Sequence, residues 1–250
     1  MPLNHEQKKS VLSAIESGLD RAEENWNKEG KKLVKIASDS IVMEAASVHS
    51  IIPGHPLVED GKPNVADFIS VMIDMRGSTK KLTSPTSCGT YGFQRVYYET
   101  SALLPAIYVV SGFSDGVVTE YLGDGALVLH KFTSNEQARD VALSALDYIG
   151  DMRSLINCII NHRYSLPEID IGVGVSLGPA LVTLVGHERN VQAKAIGECV
   201  WEASKLSGGR NKMYISQSIR DIWPKSPSGK ITFGRHPAED LWGVHGYYIK

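Results

Sequence analysis

Two stretches of this chain each bring an apolar, strand-like run to an end at an aspartate. In the first, residues 68–73 are apolar apart from Ser70, and Asp74 follows them directly. In the second, Asp124 lies between two glycines, in a Gly-Asp-Gly hairpin signature that separates two strand-like runs. Strands that pair side by side carry both carboxylates to one edge of a sheet. The sequence therefore predicts a hairpin beside a strand, with two acids at the shared edge.

The composition is that of an ordinary folded protein. Of the 250 residues, 42% are hydrophobic and 22% are charged, and the formal net charge is −2. A chain of this length buries a substantial core and fits one domain with an appendage or two small domains. The near-neutral charge argues against general nucleic-acid binding. No apolar run approaches the roughly 20 residues that span a bilayer, so we expect no membrane partner.

The chain is expected to be cytoplasmic. Its first 18 residues contain no apolar stretch followed by a cleavage site, so the sequence predicts no secretory signal. The three cysteines, Cys88, Cys158 and Cys199, are widely separated and lack a C-x-x-C spacing. They are typical of reduced thiols rather than of a disulfide framework or a zinc site.

A break in the pattern divides the chain. Before it, apolar residues at helical spacing predict two helices, the first marked by Val11, Ile15 and Leu19 and the second running through Leu33, Ile36 and Ile41 to Ala46. Residues 51–63 then hold three prolines and two glycines, which favours a linker. We therefore assign residues 1–62 to an N-terminal helical extension with its linker, and residues 63–250 to one further domain.

After the break, predicted strands and helices alternate. In chain order they are a strand at 68–74, a helix within 86–110 that is interrupted or bent near Pro105, hairpin strands at 117–122 and 126–131, a long helix at 135–161, a strand at 169–177, a turn at Gly178-Pro179 into a strand at 180–185, a helix at 198–206, and short strands within 212–217 and 230–234. The order strand, helix, hairpin, helix, strand is typical of the ferredoxin-like, split βαβ arrangement. The predicted fold class is therefore α+β.

Each acidic motif is weak evidence of a function when it is taken alone. Asp-Gly is common at hairpin tips because both residues tolerate positive φ, and an aspartate after a strand is often a cap. Together, two carboxylates at one sheet edge with backbone amides nearby suit two divalent cations and a triphosphate. A third stretch strengthens this interpretation, because residues 169–185 predict strand, turn and strand, and a helix opens after Ile196-Gly197.

The three stretches together resemble the class III nucleotidyl cyclases, the family of adenylate and guanylate cyclase catalytic domains. The matching blocks are Asp74-Met75-Arg76-Gly77-Ser78-Thr79, then Leu122-Gly123-Asp124-Gly125, then the helix start from Ile196-Gly197-Glu198 to Ala203-Ser204-Lys205-Leu206. They follow the family's order between residues 67 and 206. The resemblance implies a ferredoxin-like cyclase domain that converts a nucleoside triphosphate to a 3′,5′-cyclic nucleotide and pyrophosphate.

The resemblance also implies which residues hold the metal ions and the phosphates. Two Mn²⁺ or Mg²⁺ ions per site would be bound by the carboxylates of Asp74 and Asp124 and by the carbonyl oxygen of Met75. The phosphates would be held by backbone amides at the point where the chain leaves the strand for a helix, those of Gly77, Ser78 and Thr79.

Two positions on the third-block helix depart from the family. There the family has an Asn that orients the ribose and an Arg that stabilises the transition state, whereas this chain has Trp201 and Lys205. Lys205 would supply a point charge without the bidentate fork of Arg. Trp201 is interpreted either as a core or interface aromatic or as a bulky wall that shrinks the nucleoside pocket. The alternative candidates for the catalytic cation are Arg76, Arg95 and Arg210.

Base selection in the family depends on two positions, three residues before the Gly of the second block and three before the Gly of the third. Here they are Glu120 and Lys194. A carboxylate accepts from a ring N–H and an ammonium donates to a carbonyl, which matches uracil or guanine but neither adenine nor cytosine. Because Trp201 takes up space, we favour uracil, with UTP as the substrate and cUMP as the product. The alternative is that both charged side chains face solvent.

The whole pattern is similar to the bacterial pyrimidine cyclases of the anti-phage Pycsar system. That similarity implies a uridylate cyclase that makes cUMP on infection, with a separate effector that is reached through the cyclic nucleotide rather than by direct contact. Class III domains need two chains per site. The resemblance therefore implies a homodimer with shared active sites, in which Asp74 and Asp124 of one chain face Trp201 and Lys205 of the other.

Three other functions stay open at the level of sequence. One is guanylate or adenylate cyclase in ordinary signalling. Another is a non-catalytic nucleotide-binding module, which the changes at Trp201 and Lys205 favour and the retention of both aspartates opposes. A third is another nucleotidyl transferase such as a diguanylate cyclase; this would require a Gly-Gly-Asp-Glu-Phe hairpin, and Gly123-Asp124-Gly125-Ala126 departs from it.

Overall fold

A β-sheet with helices on both faces forms the centre of the molecule. The computed structural model describes residues 2–25, 27, 47–83, 92–187, 190–225, 231–236 and 243–249. The helices are α1 (His5–Asn25), α2 (Ser78–Thr83), α3 (Gly92–Gly112), α4 (Asn135–Ser144), α5 (Arg153–Tyr164), α6 (Glu198–Leu206) and α7 (Gln217–Asp221), and a π-helical turn (Tyr148–Met152) precedes α5. The strands are β1 (Ser47–His49), β2 (Leu57–Glu59), β3 (Asn64–Met75), β4 (Val117–Tyr121), β5 (Gly125–Lys131), β6 (Ile171–His187), β7 (Asn190–Ile196), β8 (Lys212–Ile215), β9 (Phe233–His236) and β10 (Gly246–Ile249).

The strand order confirms the predicted α+β class. The main sheet runs β4-β5-β3-β6-β8-β10-β9, and β7 pairs with the second half of β6. β3 lies between β5 and β6 and is antiparallel to both, whereas β6 and β8 are parallel. β1 and β2 form a separate antiparallel hairpin. As predicted, the β4–β5 hairpin lies directly beside the strand that carries Asp74, which is β3 and ends one residue later at Met75.

Alternate residues of β3 face two different cores. Ile69 and Ile73 face the larger core, which is formed with apolar residues of α1, α3, α4 and α5. Phe68 and Met72 face a second core, which includes buried residues of α6. Successive side chains of a strand point to opposite faces. Asp74 therefore shares the face of the sheet that α6 covers.

α1 packs along α3 and contributes to the larger core. The two helices approach most closely at Gly18, where a Cβ would lie 2.1 Å from the Ser101 carbonyl oxygen. That carbonyl lies four residues before Pro105, which has no N–H to donate to it. α3 nevertheless continues past Pro105 to Gly112, so of the two predicted alternatives, an interruption or a bend, the interruption is wrong. Burial of an apolar side, including Leu103 and Ile107, holds the helix together across the missing hydrogen bond.

The predicted turn at Gly178-Pro179 is also wrong, because β6 is one continuous strand. Pro179 lies opposite Asp67 in the β3–β6 ladder. The Asp67 carbonyl oxygen accepts a hydrogen bond from the Phe132 N–H at 3.0 Å, on the β5 side of β3. In an antiparallel ladder, the N–H and the C=O of one residue point to the same neighbouring strand. A residue that bonds to the strand on one side therefore makes no backbone hydrogen bond to the strand on its other side. The missing N–H of Pro179 therefore leaves the pairing intact.

Other predictions match in part. The strand at 68–74 is confirmed and begins earlier, at Asn64, and the helix at 198–206 is confirmed at both ends. The predicted helix through Leu33 to Ala46 and the beginning of the helix at 86–91 lie outside the described residues. The sequence did not predict the short strands β1, β2, β7 and β10. In the described ranges, no helix is long and apolar enough to cross a bilayer.

Candidate active site

The end of β3 and the tip of the β4–β5 hairpin bring Asp74 and Asp124 to one sheet edge. In the β3–β5 register, Asp74 lies opposite Gly125, the residue after Asp124. The Met75 N–H donates a hydrogen bond to the Asp124 carbonyl oxygen at 3.2 Å. A Cβ at Gly125 would lie 2.5 Å from the Ile73 carbonyl oxygen and 3.3 Å from Asp74 Oδ1. A glycine is therefore needed for the close approach that sets the two acids side by side.

The two carboxylates repel each other. Burial raises the pKa of Asp74, and the negative charge of Asp124 raises it further. Arg76 opposes both effects through an ion pair, in which its Nη1 lies 2.5 Å from Asp74 Oδ2. Repulsion between two partly buried carboxylates favours a bound cation, which stabilises the charged form of both.

The donors at this edge fit a divalent cation such as Mn²⁺ or Mg²⁺. Asp74 and Asp124 offer carboxylate oxygens and Met75 offers a carbonyl oxygen, the hard ligands that these ions prefer. In the part of the chain that the structure describes, no group of three or more His, Cys, Asp or Glu side chains is placed to hold a metal ion. Ions at this edge would therefore complete their coordination with water and with phosphate oxygens of a bound nucleotide, as Mg²⁺ commonly does.

The predicted phosphate-binding residues, 77–79, follow β3 with one residue, Arg76, between them. Gly77 has a φ of +74°, which favours glycine, and α2 begins at the next residue, Ser78. No described atom lies within 4 Å of a Cβ placed at Gly77, so the turn faces open space. Ser78 is half-buried and Thr79 is exposed. We call residues 76–79 the phosphate loop.

Glu120 and Lys194, the two predicted base-selecting residues, form an ion pair with each other. Lys194 Nζ lies 2.7 Å from Glu120 Oε2, and the side chains are 27% and 19% exposed, respectively. β4 carries Glu120 and β7 carries Lys194, so the pair joins two strands that are not neighbours in the sheet. The structure thus brings these side chains together instead of leaving each of them in solvent.

Trp201 and Lys205 project from the outer side of α6. Cys199 and Ala203 of this helix are buried against the sheet, whereas Trp201 is 51% exposed. Lys205 Nζ lies 5.8 Å from the centre of the Trp201 ring, one helical turn away. Trp201 is therefore not a core aromatic of its own chain, and both side chains are accessible to a ligand or a second chain.

The known proteins that are similar to this chain include nucleotide cyclases. No family model matches the chain. An adenylate cyclase of Anabaena cylindrica is 25% identical over 173 residues, which are 66% of this chain and 32% of that protein, so the chain spans about a third of this relative. The guanylyl cyclase Cya2 superposes with a TM-score of 0.58 at 18% identity, over 74% of this chain and 92% of its own. A bacterial light-regulated adenylyl cyclase superposes with a TM-score of 0.60 at 16% identity, over 76% of this chain and 52% of its own. This chain has the class III nucleotidyl cyclase fold.

Two further candidate cations occupy different positions in this cyclase fold. Arg210 Nη1 lies 2.8 Å from Asp170 Oδ2, and its side chain is largely exposed. The Asp170 carbonyl oxygen accepts the Arg76 N–H at 2.7 Å, so Arg210 lies beside the phosphate loop. Arg95 instead pairs with Glu99 of its own helix, with Nε 2.8 Å from Oε1. Arg95 is thus held within α3.

Sequence reasoning missed one charged cluster next to the phosphate loop of this cyclase fold. Glu99 is fully buried and pairs with both Arg95 and Lys81 of α2. The signal for it was present in the sequence, because a glutamate in a largely apolar helix lies four residues after an arginine. Its partner Lys81 is distant in sequence, and only the fold brings it there.

Proposed function

We propose that this chain is a metal-dependent nucleotide cyclase, with UTP as its substrate and cUMP and pyrophosphate as its products. The observation that carries the proposal is the pairing of Asp74 and Asp124 at one sheet edge, beside a glycine-containing loop, in a class III cyclase fold. The adenylate cyclase of Anabaena cylindrica, which matches at the level of sequence, supports the class of reaction.

In the proposed reaction, the ribose 3′-oxygen attacks the α-phosphorus of its own triphosphate. The bond between O3′ and the α-phosphorus forms, the bond from the α-phosphorus to the bridging oxygen of pyrophosphate breaks, and the proton of the 3′-hydroxyl passes to solvent water. The metal ions, when bound, lower the pKa of the hydroxyl and neutralise the phosphate oxygens. Asp74, Asp124 and the Met75 carbonyl would hold these ions. The amides of Gly77, Ser78 and Thr79 would orient the phosphates for in-line attack.

Arg76, which pairs with Asp74 in the structure, is also proposed to contact the phosphate of the substrate. Its guanidinium is already at the acidic edge, in contact with Asp74, and its backbone belongs to the phosphate loop. A guanidinium in this position can exchange a carboxylate partner for a phosphate, since both accept its planar fork of N–H donors. Arg76 would then stabilise the charge that develops on the phosphate, together with Lys205.

The preference for uracil rests on the Glu120–Lys194 ion pair. A carboxylate and an ammonium 2.7 Å apart present an acceptor beside a donor. The edge of uracil offers the complement, with N3–H beside the O4 carbonyl. Guanine offers N1–H beside O6 in the same way, so guanylate cyclase is the second candidate function. Trp201 is exposed. In this proposal it would favour the smaller base by narrowing the space beside the nucleoside.

The site is proposed to be complete only in a homodimer. Trp201 and Lys205 point outward from α6, on the side away from their own sheet. Two copies related by a twofold axis would each offer these side chains to the acidic edge of the other. The cyclic nucleotide is proposed to act as a second messenger in bacterial anti-phage defence and to reach a separate effector by diffusion, in the cytoplasm. This part of the proposal rests on the sequence alone, in which the Asp74–Thr79 block and the base-reading positions resemble those of the Pycsar cyclases.

Product analysis tests the reaction and the base together. The purified protein is incubated with Mn²⁺ and with UTP, CTP, GTP or ATP separately, and products are identified by chromatography and mass spectrometry. We expect cUMP from UTP, with none from an Asp74→Ala variant. Cyclic GMP or AMP instead would retain the reaction and overturn the assignment of uracil. Absence of every cyclic product would favour a nucleotide-binding module.

A further inference from the structure

A buried cluster of three charged residues attaches α2, the helix after the phosphate loop, to α3. Lys81 Nζ lies 2.9 Å from Glu99 Oε2, and Arg95 Nε lies 2.8 Å from Glu99 Oε1. The side chain of Glu99 is fully buried, and those of Lys81 and Arg95 are each only 13% exposed. Each carboxylate oxygen of Glu99 therefore has its own cationic partner.

Burial makes this cluster resistant to opening. An ionised carboxylate removed from water is strongly destabilising unless cations and hydrogen bonds compensate for the lost hydration. If α2 moved away from α3, Lys81 would withdraw one of the two charges that compensate Glu99. The arrangement therefore opposes any displacement of α2.

The Lys81 side chain attaches α2 to Glu99 of α3. None of the six side chains of this helix is fully buried, so α2 has no apolar anchor of its own. Its backbone approaches α3 at Gly92, where a Cβ would lie 2.4 Å from the carbonyl oxygens of Lys81 and Leu82. The Lys81 side chain and this close backbone approach act at the same point of the helix.

The attachment reaches the phosphate loop through one hydrogen bond. The Lys81 N–H donates to the Gly77 carbonyl oxygen at 3.1 Å, which closes the first turn of α2 on the loop. Gly77 itself has the positive φ that turns the chain from β3 into α2. The orientation of the loop amides is therefore coupled to the position of Lys81, and the position of Lys81 is coupled to Glu99.

We infer that Glu99 and Lys81 are positioning residues for the phosphate loop: their buried ion pair holds α2, and with it the amides of residues 77–79, in the orientation that receives a triphosphate. Neither side chain is assigned any contact with the substrate. The inference rests on the proposed function and deepens it, because it identifies what preorganises the phosphate-binding segment.

Matched variants separate positioning from simple stability. Lys81→Met removes the partner on α2, Arg95→Met removes the partner on α3, and Lys9→Met changes an exposed lysine of α1 as a control. Lys81→Arg restores a cation. Three quantities are measured for each variant: amide hydrogen exchange of residues 76–82, the affinity for inorganic tripolyphosphate with Mn²⁺ by calorimetry, and the separate kcat and KM values for UTP.

Lys81→Met is expected to increase exchange in residues 76–82 and to weaken tripolyphosphate binding by on the order of 10-fold to 100-fold. KM for UTP should rise in parallel. Lys81→Arg should recover most of both losses, and Lys9→Met should match the wild-type protein. Arg95→Met should lower the midpoint of thermal unfolding as much as Lys81→Met does, while it leaves loop exchange and tripolyphosphate affinity close to those of the wild type.

Equal loss of tripolyphosphate affinity in Lys81→Met and Arg95→Met would overturn the inference, as would unchanged loop exchange in Lys81→Met. If Lys81→Met does not fold, Glu99→Asp tests the same contact, since it keeps the charge and shortens its reach by one methylene; unchanged loop exchange in Glu99→Asp would also overturn the inference. The exchange measurement needs neither substrate nor turnover. A protein that shows the expected loop exchange but forms no cyclic nucleotide would therefore retain the positioning inference while contradicting the proposed function.

Discussion

As the proposed base-reading pair, Glu120 and Lys194 meet two requirements for the recognition of a base. The ion pair orders both side chains before a base arrives, and their partial burial strengthens the hydrogen bonds that they would offer. A base with a ring N–H beside a carbonyl satisfies both charges. Cytosine would instead place its ring N3, an acceptor, against the carboxylate of Glu120, and this mismatch weakens binding.

Replacement of the carboxylate tests this selectivity. Glu120→Gln is expected to lower the ratio of kcat/KM for UTP to that for CTP by about 10-fold to 100-fold, because a neutral amide donates as readily as it accepts. Steady-state cyclisation assays with each triphosphate measure the ratio. Glu59→Gln, at an exposed ion pair with Lys62, is the matched control and should leave it unchanged. An unaltered ratio in Glu120→Gln would contradict the assignment of the base site.

His130 gives a second prediction at this scale, which concerns stability. Burial lowers the pKa of His130 from its ordinary value of 6.5 to about 4, although the Ser114 carbonyl and Asp115 oppose the shift. Above pH 6.5 the ring is neutral in both the folded and the unfolded chain. Between pH 6.5 and about 4 only the unfolded chain takes up the proton, so the free energy of unfolding decreases as the pH falls.

The loss should reach up to about 3 kcal/mol at the acidic end of this range. Urea unfolding at a series of pH values, for the wild type and for His130→Gln, measures it. The variant should show a weaker dependence on pH in this window. Identical pH profiles of the two proteins would contradict the prediction.

The single residues differ in how far the sequence could predict them. Asp74 and Asp124 were predictable because each one ends a local strand pattern. The Glu120–Lys194 contact was not, because it depends on how β7 folds back along β6. The buried state of Glu99 likewise depends on a partner, Lys81, that the fold supplies from another helix.

At the scale of elements, the contact between α1 and α3 shows how one small residue, Gly18, sets the distance between two packed helices. Gly18 lets α1 approach the Ser101 carbonyl oxygen, which Pro105 leaves without its usual helical donor. Gly18→Ala should therefore destabilise the protein by about 1–3 kcal/mol, because the two helices must separate to make room. Gly112→Ala, at the open end of α3, should change stability by less than about 1 kcal/mol.

Thermal and urea unfolding of the two variants test this prediction. If Gly18→Ala were as stable as Gly112→Ala, the close packing of α1 on α3 would be contradicted. A large loss that is confined to Gly18→Ala would show that α1 contributes to the stability of the sheet domain. The division of the chain at residue 62 stays a prediction.

The elements themselves were predictable where periodicity was strong. α6 and the β4–β5 hairpin match because their apolar residues recur with a clear period and because a glycine, Gly197 or Gly125, marks where α6 or β5 begins. β6 differs from the prediction because Gly178-Pro179 suggests a turn, whereas the ladder needs no N–H at Pro179. β1, β2, β7 and β10 are three to seven residues long, and their pairing comes from tertiary contacts rather than from a local pattern.

At the scale of the whole molecule, the outward position of Trp201 and Lys205 predicts that two chains share each site. A mixture of Asp74→Ala and Lys205→Ala proteins, each inactive alone, should recover about a quarter of the wild-type activity. Half of the dimers would then be mixed, and each mixed dimer would have one intact site. Cyclisation assays before and after mixing measure the recovery. An absence of recovery, with exchange of subunits shown by native mass spectrometry, would contradict shared sites.

The most direct test of the central claim measures Mn²⁺ binding and cyclic-nucleotide formation in the same set of variants. Asp74→Asn and Asp124→Asn remove one carboxylate each, and Asp140→Asn, an exposed aspartate paired with Arg139, is the matched control. Mn²⁺ binding is followed by electron paramagnetic resonance in the presence of UTP, and cUMP is quantified by mass spectrometry. We predict that both site variants lose Mn²⁺ binding and product together, while Asp140→Asn keeps both. Persistent cyclic product in Asp74→Asn and Asp124→Asn would contradict the assignment of this edge as the active site.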